Sequence, residues 1–408
     1  MKNIVLIGDG MADWPIPSLG DRTPLEAAST PNLDFLAENG HLVEVHTVPE
    51  GMPPGSDVAI LSIMGYDPNK WYTGRAPLEA ASMGLNVPES ASVFRCNTVT
   101  VQNGSMVDYA ADHITTTEST ELIDSVDEAL STSQLKFYPG ISYRHLMVIE
   151  GDYPELQCTP PHDILGKSID SYLPQGNGQE IIRELMEKSV SLWKKHPVNI
   201  KRESEGHLPA TQIWLWGQGK MPQLESFKNM FQMDTGIIIS AVDLVKGIGK
   251  LAKLTVPDIP GLTGYLDTDY EAKVSAALEG LKQYEFALIH VEAPDECGHQ
   301  GRPDLKIRAI EEFDEKVIGP MLEYARNHGE CRLMVLPDHP TPCAIRTHAA
   351  EPIPAVMIEF SDISKKTLCS GKRFTEKNAR LSEHKIKFGH ELMGYFLRGN
   401  WNSESLYN

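Results

Sequence analysis

The 408-residue chain carries a net charge of −19, with 41% hydrophobic and 23% charged residues. That balance is globular rather than disordered, and the length suits two domains or one large domain with an insertion. The excess negative charge argues against nucleic acid and anionic membrane surfaces as partners, and no apolar run approaches the roughly 20 residues that span a bilayer.

The opening Met1-Lys2-Asn3-Ile4-Val5-Leu6-Ile7 is too short in its apolar part for an export signal and has no small-residue cleavage site. The expectation is a first core strand over Ile4 to Ile7, turning at Gly8-Asp9-Gly10, in a cytoplasmic protein. Thr30-Pro31 caps a helix that runs on from Asn32, and residues 41–48 alternate like a strand. Pro53-Pro54-Gly55-Ser56 is a turn, with a helix over Asp57 to Met64. Asn103-Gly104 between Val93–Val101 and Met106–Tyr109 signals a two-residue hairpin. A helix is expected over Glu118 to Leu130, a strand over Ile141 to Ile149, and loop over 151–178. Residues 88–179 therefore read as a small α+β insertion into a larger domain formed by 1–87 and 180–408.

The second half alternates. Strands are expected at 211–215, 236–240, 285–291, 331–336 and 353–359, and helices at 180–195, 241–250, 268–282, 305–328 and 387–397. This predicts an α/β fold with a mostly parallel sheet sandwiched by helices. Ligands of such sheets sit at the carboxyl ends of the strands. The six cysteines (Cys96, Cys158, Cys297, Cys331, Cys343 and Cys369) are scattered without a C-x-x-C pair, which points to reduced thiols.

Acidic and imidazole residues gather after the predicted strands. Asp9 follows the first. Asp295 and His299 follow 285–291, although Pro294 and Gly298 argue against regular helix there. Asp338 and His339 follow 331–336, with His348 nine residues on. Strand ends of one parallel sheet share an edge, so these groups can meet. Mixed Asp and His suit Zn²⁺, Mn²⁺ or similar ions. Six such ligands with a serine oxygen match two ions about 4 Å apart, the spacing for in-line displacement at phosphorus.

Ser56, at the start of a helix, could be a plain N-cap. The same position offers positive dipole potential to an alkoxide or a phosphate, and Gly55 lets a phosphate approach the backbone. An anionic substrate needs local positive charge in so acidic a chain. Arg75 in Tyr72-Thr73-Gly74-Arg75, Arg144, His162 and Lys246 are the candidates; the plain alternative for each is a solvated surface charge, which for Lys246 fits about as well.

Three early motifs, Gly8-Asp9-Gly10-Met11-Ala12-Asp13, Pro54-Gly55-Ser56-Asp57 and Tyr72-Thr73-Gly74-Arg75, resemble the archaeal-type cofactor-independent phosphoglycerate mutases of the alkaline phosphatase superfamily. So do Phe94-Arg95-Cys96-Asn97, Trp216-Gly217-Gln218-Gly219-Lys220, Thr263 to Thr268, and His290 to Glu296 with His299, Asp338-His339 and His348. The resemblance spans essentially the whole chain. It implies an alkaline-phosphatase-like domain with a smaller inserted one. It also implies one ion on Asp295, His299 and His348, and another on Asp9, Asp338, His339 and the Ser56 oxygen. Ser56 would take the phosphoryl group of 3-phosphoglycerate and return it to the 2-hydroxyl, without 2,3-bisphosphoglycerate. The insertion would close over the site and hold the glycerate through residues such as Arg144 and His162.

Arg75-Ala76-Pro77-Leu78-Glu79-Ala80-Ala81-Ser82 departs from the more glycine-rich stretch of typical members. Together with Glu50-Gly51-Met52-Pro53-Pro54, it is closer to a bacterial subgroup proposed to be homoserine kinases. The acceptor thus stays open between glycerate and homoserine, and a metal-dependent phosphatase or phosphodiesterase is the third reading. No P-loop string is present. Mn²⁺ is the expected ion, with Zn²⁺, Mg²⁺ and Co²⁺ also compatible. The expected partner is a small phosphorylated metabolite, and the sequence specifies no oligomeric state.

Overall fold

The computed structural model describes residues 1–233, 235–362, 372–399 and 401; Cys369 lies outside them. The strands in chain order are β1 Lys2–Gly8, β2 His41–Val45, β3 Ala91–Gln102, β4 Ser105–Asp108, β5 Leu135–Ile141, β6 Arg144–Glu150, β7 Gln212–Gly219, β8 Gly236–Ile239, β9 Phe286–Val291, β10 Cys331–Leu336, β11 Ile353–Glu359 and β12 Lys385–Ile386. The chain divides into two compact units, Met1–Tyr72 with Gln223–Asn408, and Thr73–Pro222.

The larger unit holds a seven-stranded sheet in the order β12-β2-β11-β10-β1-β9-β8. The four strands β10, β1, β9 and β8 are mutually parallel, and β11 runs antiparallel to both of its neighbours. Strand β1 lies between two parallel partners, and Ile4, Val5, Leu6 and Ile7 are all fully buried. An unbroken apolar run is what a strand covered on both faces requires. Ile4 and Leu6 join a core built with Leu33 and Leu36, Val274 and Ala277, Ala309 and Ile310, and Met321 and Leu322. Those pairs come from helices Pro31–Asn39, Tyr270–Gly280, Pro303–Phe313 and Gly319–His328. Val5 and Ile7 point to the other face by strand alternation. Helix Ser56–Ile63 contacts both helix Asp243–Leu251, which touches β8, and helix Leu392–Arg398, which touches β10. The mostly parallel α/β sandwich expected from the strand–helix alternation is thus the fold of this unit.

The smaller unit is an antiparallel sheet, β4-β3-β6-β5, with β7 paired along β3. Asn103 and Gly104 both have positive φ, at 51° and 73°, and close the β3–β4 hairpin with Gln102 opposite Ser105. Such φ values are those of a type I′ turn, which Asn-Gly favours. Helices Thr116–Leu130 and Gln179–Trp193 contribute Leu122, Ile123, Val126, Met186 and Trp193 to its core. On a second cluster, Ala76 and Ala80 of helix Arg75–Met83 pack against Val93, Leu146 and Val148.

Three features depart from the sequence reading. Strand β7, expected in the parallel sheet, runs antiparallel to β3. Ile213, Trp214, Leu215 and Trp216 are all buried, and a continuous apolar run looks the same in either kind of sheet. Strand β5, which contains Pro139-Gly140, is not among the expected strands. The pairing with β6 shifts register between Tyr138 and Ile141. At Gly140 an added Cβ would meet the Arg144 carbonyl at 2.1 Å, so only glycine lets the strands close there. Finally, the smaller unit extends beyond 88–179 on both sides, because helices Arg75–Met83 and Gln179–Trp193 and strand β7 belong to it. Among the described residues, no helix is long and apolar enough to cross a membrane.

Candidate metal centre

Strands β9, β1 and β10 lie side by side with Gly8 opposite Val291 and Ile7 opposite Leu336. The residues that follow each strand therefore emerge at one sheet edge. Two groups of candidate ligands form there, Asp9, Asp338 and His339, and Asp295, His299 and His348. Within each group one donor atom per residue lies within 4.8 Å of the others. The groups are neighbours, since the His339 and His348 rings are 4.3 Å apart between centroids.

The first group is fully buried. His339 Nε2 lies 3.4 Å from Asp338 Oδ2 and 3.7 Å from Asp9 Oδ1. Asp338 Oδ1 accepts the backbone N–H groups of Gly10 and His339, at 3.0 and 2.8 Å, whereas its Oδ2 has no hydrogen-bond donor among the described residues. Gly10 has φ +61°, and an added Cβ would lie 2.6 Å from Asp295 Oδ1. Glycine is thus what lets the β1 loop reach both carboxylates. Burial raises the Asp9 carboxyl well above its ordinary value, and Asp338, Asp295 and Glu292 push it further.

In the second group, His299 Nε2 is 3.2 Å from Asp295 Oδ2 and 3.0 Å from His348 Nε2. His299 Nδ1 faces the Arg346 carbonyl at 3.0 Å, which can only accept, so Nδ1 carries a proton. In a neutral ring the Nε2 lone pair then points at the other two donors. Burial lowers the His348 imidazole to about 4. Burial also acts to lower His299, but the hydrogen bond and charge of Asp295 outweigh it and raise that ring to about 9.

Asp295 and His299 belong to a regular helix, Ala293–His299, contrary to the sequence expectation. Pro294 falls in the first turn, where an N–H has no intrahelical acceptor in any case. Gly298 sits where a Cβ would meet the Thr341 carbonyl at 2.4 Å. The i, i+4 spacing puts both side chains on one face.

Ser56 is the first residue of helix Ser56–Ile63, and Gly55 before it holds the cap position. The half-buried Ser56 hydroxyl lies 3.1 Å from His339 Nε2 and 3.3 Å from Asp9 Oδ2. The cap role that the sequence left open is thus not the one Ser56 has. An orphaned buried carboxylate oxygen, crowded acids and converging imidazoles are costly without compensation. The donor set fits divalent ions of the borderline class.

A family described as 2,3-bisphosphoglycerate-independent phosphoglycerate mutase matches residues 37–199. An enzyme of that name from Methanosarcina acetivorans is 52% identical over 356 residues, covering 87% of this chain and 89% of its own length. The chain belongs to that family. Among solved structures, a Pyrococcus horikoshii protein aligns with TM-score 0.80 and 28% identity, over 97% of this chain and 96% of its own. A cofactor-independent phosphoglycerate mutase from Thermoplasma acidophilum aligns with TM-score 0.63 and 25% identity, over 98% and 99%.

Of the cationic candidates, Lys246 lies in the larger unit on helix Asp243–Leu251; burial lowers the pKa of the nearby Lys273, and the charge of Lys246 lowers it further. The other three lie in the smaller unit. Arg75 begins helix Arg75–Met83 and sits 3.7 Å from Glu79. Arg144 is exposed on β6 beside Tyr143. His162, also exposed, meets Trp216 and Tyr109 edge-on.

Several further residues of these motifs have defined surroundings. His290 Nε2 lies 3.0 Å from Asp9 Oδ2, off the hydrogen-bond axis, and burial lowers the ring to about 4. A histidine inside the apolar run of β9 was the signal for it. Arg95 stacks on Trp216 at 4.4 Å and pairs with Glu79 at 3.0 Å, and Trp216 Nε1 donates to Asn97 Oδ1. At Gly74 (φ +144°) a Cβ would meet the Gln218 carbonyl at 2.2 Å, and at Gly219 one would meet the Thr73 carbonyl at 2.0 Å. Close backbone approach therefore accounts for glycine in both of these motifs.

Proposed function

We propose that the chain interconverts 3-phosphoglycerate and 2-phosphoglycerate through a phosphoserine at Ser56, without added 2,3-bisphosphoglycerate. The observation that carries this reading is the Ser56 hydroxyl, which lies within hydrogen-bond distance of both Asp9 and His339. Membership of the mutase family supports the reaction class.

Asp295, His299 and His348 would hold one divalent ion, and Asp9, Asp338, His339 and the Ser56 oxygen the other. Such ions supply Lewis-acid charge that lowers the hydroxyl pKa and neutralises phosphoryl oxygens. Mn²⁺ is the ion we propose, with Zn²⁺, Mg²⁺ and Co²⁺ compatible with the same donors. Ser56 Oγ gives up its proton and bonds to phosphorus as the bond to the 3-oxygen breaks, and that oxygen takes up a proton in exchange. The glycerate then reorients. Its 2-hydroxyl attacks the phosphoserine, gives up its proton and frees Ser56.

Arg75, Arg144, His162 and Lys246 are proposed to offset the charge of the substrate's phosphate and carboxylate. The smaller unit is proposed as the substrate-closing insertion that keeps water from the phosphoserine. The net charge of −19 suits a small metabolite in the cytoplasm better than nucleic acid or an anionic membrane.

The test is a ³¹P NMR time course of Mn²⁺-loaded protein, with 3-phosphoglycerate alone and with ATP plus L-homoserine. The expected result is 2-phosphoglycerate from the first mixture and no phosphohomoserine from the second. Phosphohomoserine without isomerisation, or free phosphate alone, overturns the assigned acceptor.

A further inference from the structure

The two ligand groups share one side chain that belongs to neither. Thr341 is fully buried. Its Oγ1 lies 2.5 Å from Asp295 Oδ1 and 3.2 Å from His339 Nδ1.

Proton bookkeeping fixes the directions. A carboxylate oxygen only accepts, so the single Thr341 hydroxyl proton goes to Asp295. Towards His339 the hydroxyl must then accept, which places a proton on Nδ1. The Pro340 carbonyl, 3.3 Å from the same nitrogen, is also only an acceptor and agrees. In the neutral ring the lone pair is left at Nε2, the atom 3.1 Å from Ser56 Oγ.

The backbone of Thr341 is held just as tightly. Its N–H donates to the Ala12 carbonyl at 3.1 Å. Its carbonyl accepts from Lys306 Nζ at 2.8 Å. Lys306, fully buried, spends its other protons on Ala12 O and Asp13 Oδ2. The loop after β1, the loop after β10 and the helix of Asp295 thus meet at this one residue.

We infer that Thr341 is a positioning residue that sets the His339 tautomer, orients Asp295 and so couples the two cation groups. The inference rests on the two-ion reading given above. Outer-shell hydrogen bonds of this type are worth about 10–100-fold in metal affinity.

The experiment is calorimetric titration of metal-stripped full-length protein with Mn²⁺, comparing wild type, Thr341→Val and Thr341→Ser. Valine keeps the shape and loses the hydroxyl, so a packing role alone would leave binding unchanged. The expectation is about 10-fold or greater weakening at both sites in Thr341→Val and recovery in Thr341→Ser. Two ions bound by Thr341→Val with wild-type affinity overturn the inference while leaving the two-ion reading intact. No Mn²⁺ bound by the wild type overturns both. Should Thr341→Val fail to fold, ¹⁵N NMR of the wild-type histidine rings decides, because a proton on His339 Nε2 contradicts the assigned tautomer.

Discussion

Ser56 Oγ, on the first residue of its helix, lies 3.1 Å from His339 Nε2. Gly55 occupies the cap position, so the serine is free to face the edge of the sheet. Ser56→Ala should therefore abolish isomerisation and cost less than the ~1 kcal/mol typical of a lost N-cap. A ³¹P activity assay run beside thermal melts checks both halves. Residual turnover near wild type would show that another nucleophile operates.

The Asp9 carboxyl is raised by burial first and then by Asp338, Asp295 and Glu292. Such crowding penalises the metal-free protein and is relieved by cations. Asp9→Asn should therefore melt no lower than wild type in EDTA. With Mn²⁺ present, wild type should gain stability and the variant should gain much less. Differential scanning calorimetry in the two buffers reads this. A variant that gains as much as wild type would remove Asp9 from the ligand set.

The gathering of the candidate ligands Asp9, Asp295 and Asp338 was legible because each comes soon after a strand whose apolar run shows in the sequence, and parallel neighbours bring their ends to one edge. Asp9, Asp338 and Asp295 needed only that argument. Thr341 and Lys306 were not legible, because a threonine two residues past a histidine and a lysine in an amphipathic helix look ordinary until packing buries them. The Asp295–His299 helix was misread for a local reason. Pro294 and Gly298 lower helix propensity, but the first turn tolerates the one and contact with Thr341 demands the other. The assignment of β7 to the wrong sheet had a different cause, since its partner β3 lies more than a hundred residues away and leaves no trace in local periodicity.

Lys306 and Asp13 form an ion pair 2.8 Å long in which both side chains are wholly buried. Removing one partner of such a pair leaves an uncompensated charge and typically costs about 3–5 kcal/mol. Lys306→Met should thus lower the Tm clearly. Adding Asp13→Asn should recover part of the loss by removing the stranded charge. Urea denaturation of both single variants and the double variant tests this. Purely additive losses would mean that the two charges do not depend on each other.

Glu376 gives a pH dependence whose sign can be worked out. Its carboxylate accepts from the Asp13 backbone N–H at 3.2 Å and from Thr23 Oγ1 at 2.8 Å. Burial nevertheless dominates and raises its pKa from 4.5 to about 7. The folded state therefore binds this proton more tightly than the unfolded state does. The stability it contributes is fully present below about pH 4.5 and is lost as pH rises through about 7. At roughly 1.4 kcal/mol per unit, the whole swing is on the order of 3 kcal/mol. Glu376→Gln keeps an acceptor for Asp13 and lets the Thr23 hydroxyl accept in turn, but it cannot ionise. The Tm of the variant minus that of wild type should therefore grow between pH 5 and pH 8, with the variant melting higher at pH 8. Measuring the difference cancels the titration of the histidines and of Asp9, which both proteins share. A difference that stays flat across that range would mean Glu376 ionises as readily folded as unfolded, and that its two hydrogen bonds offset the burial completely.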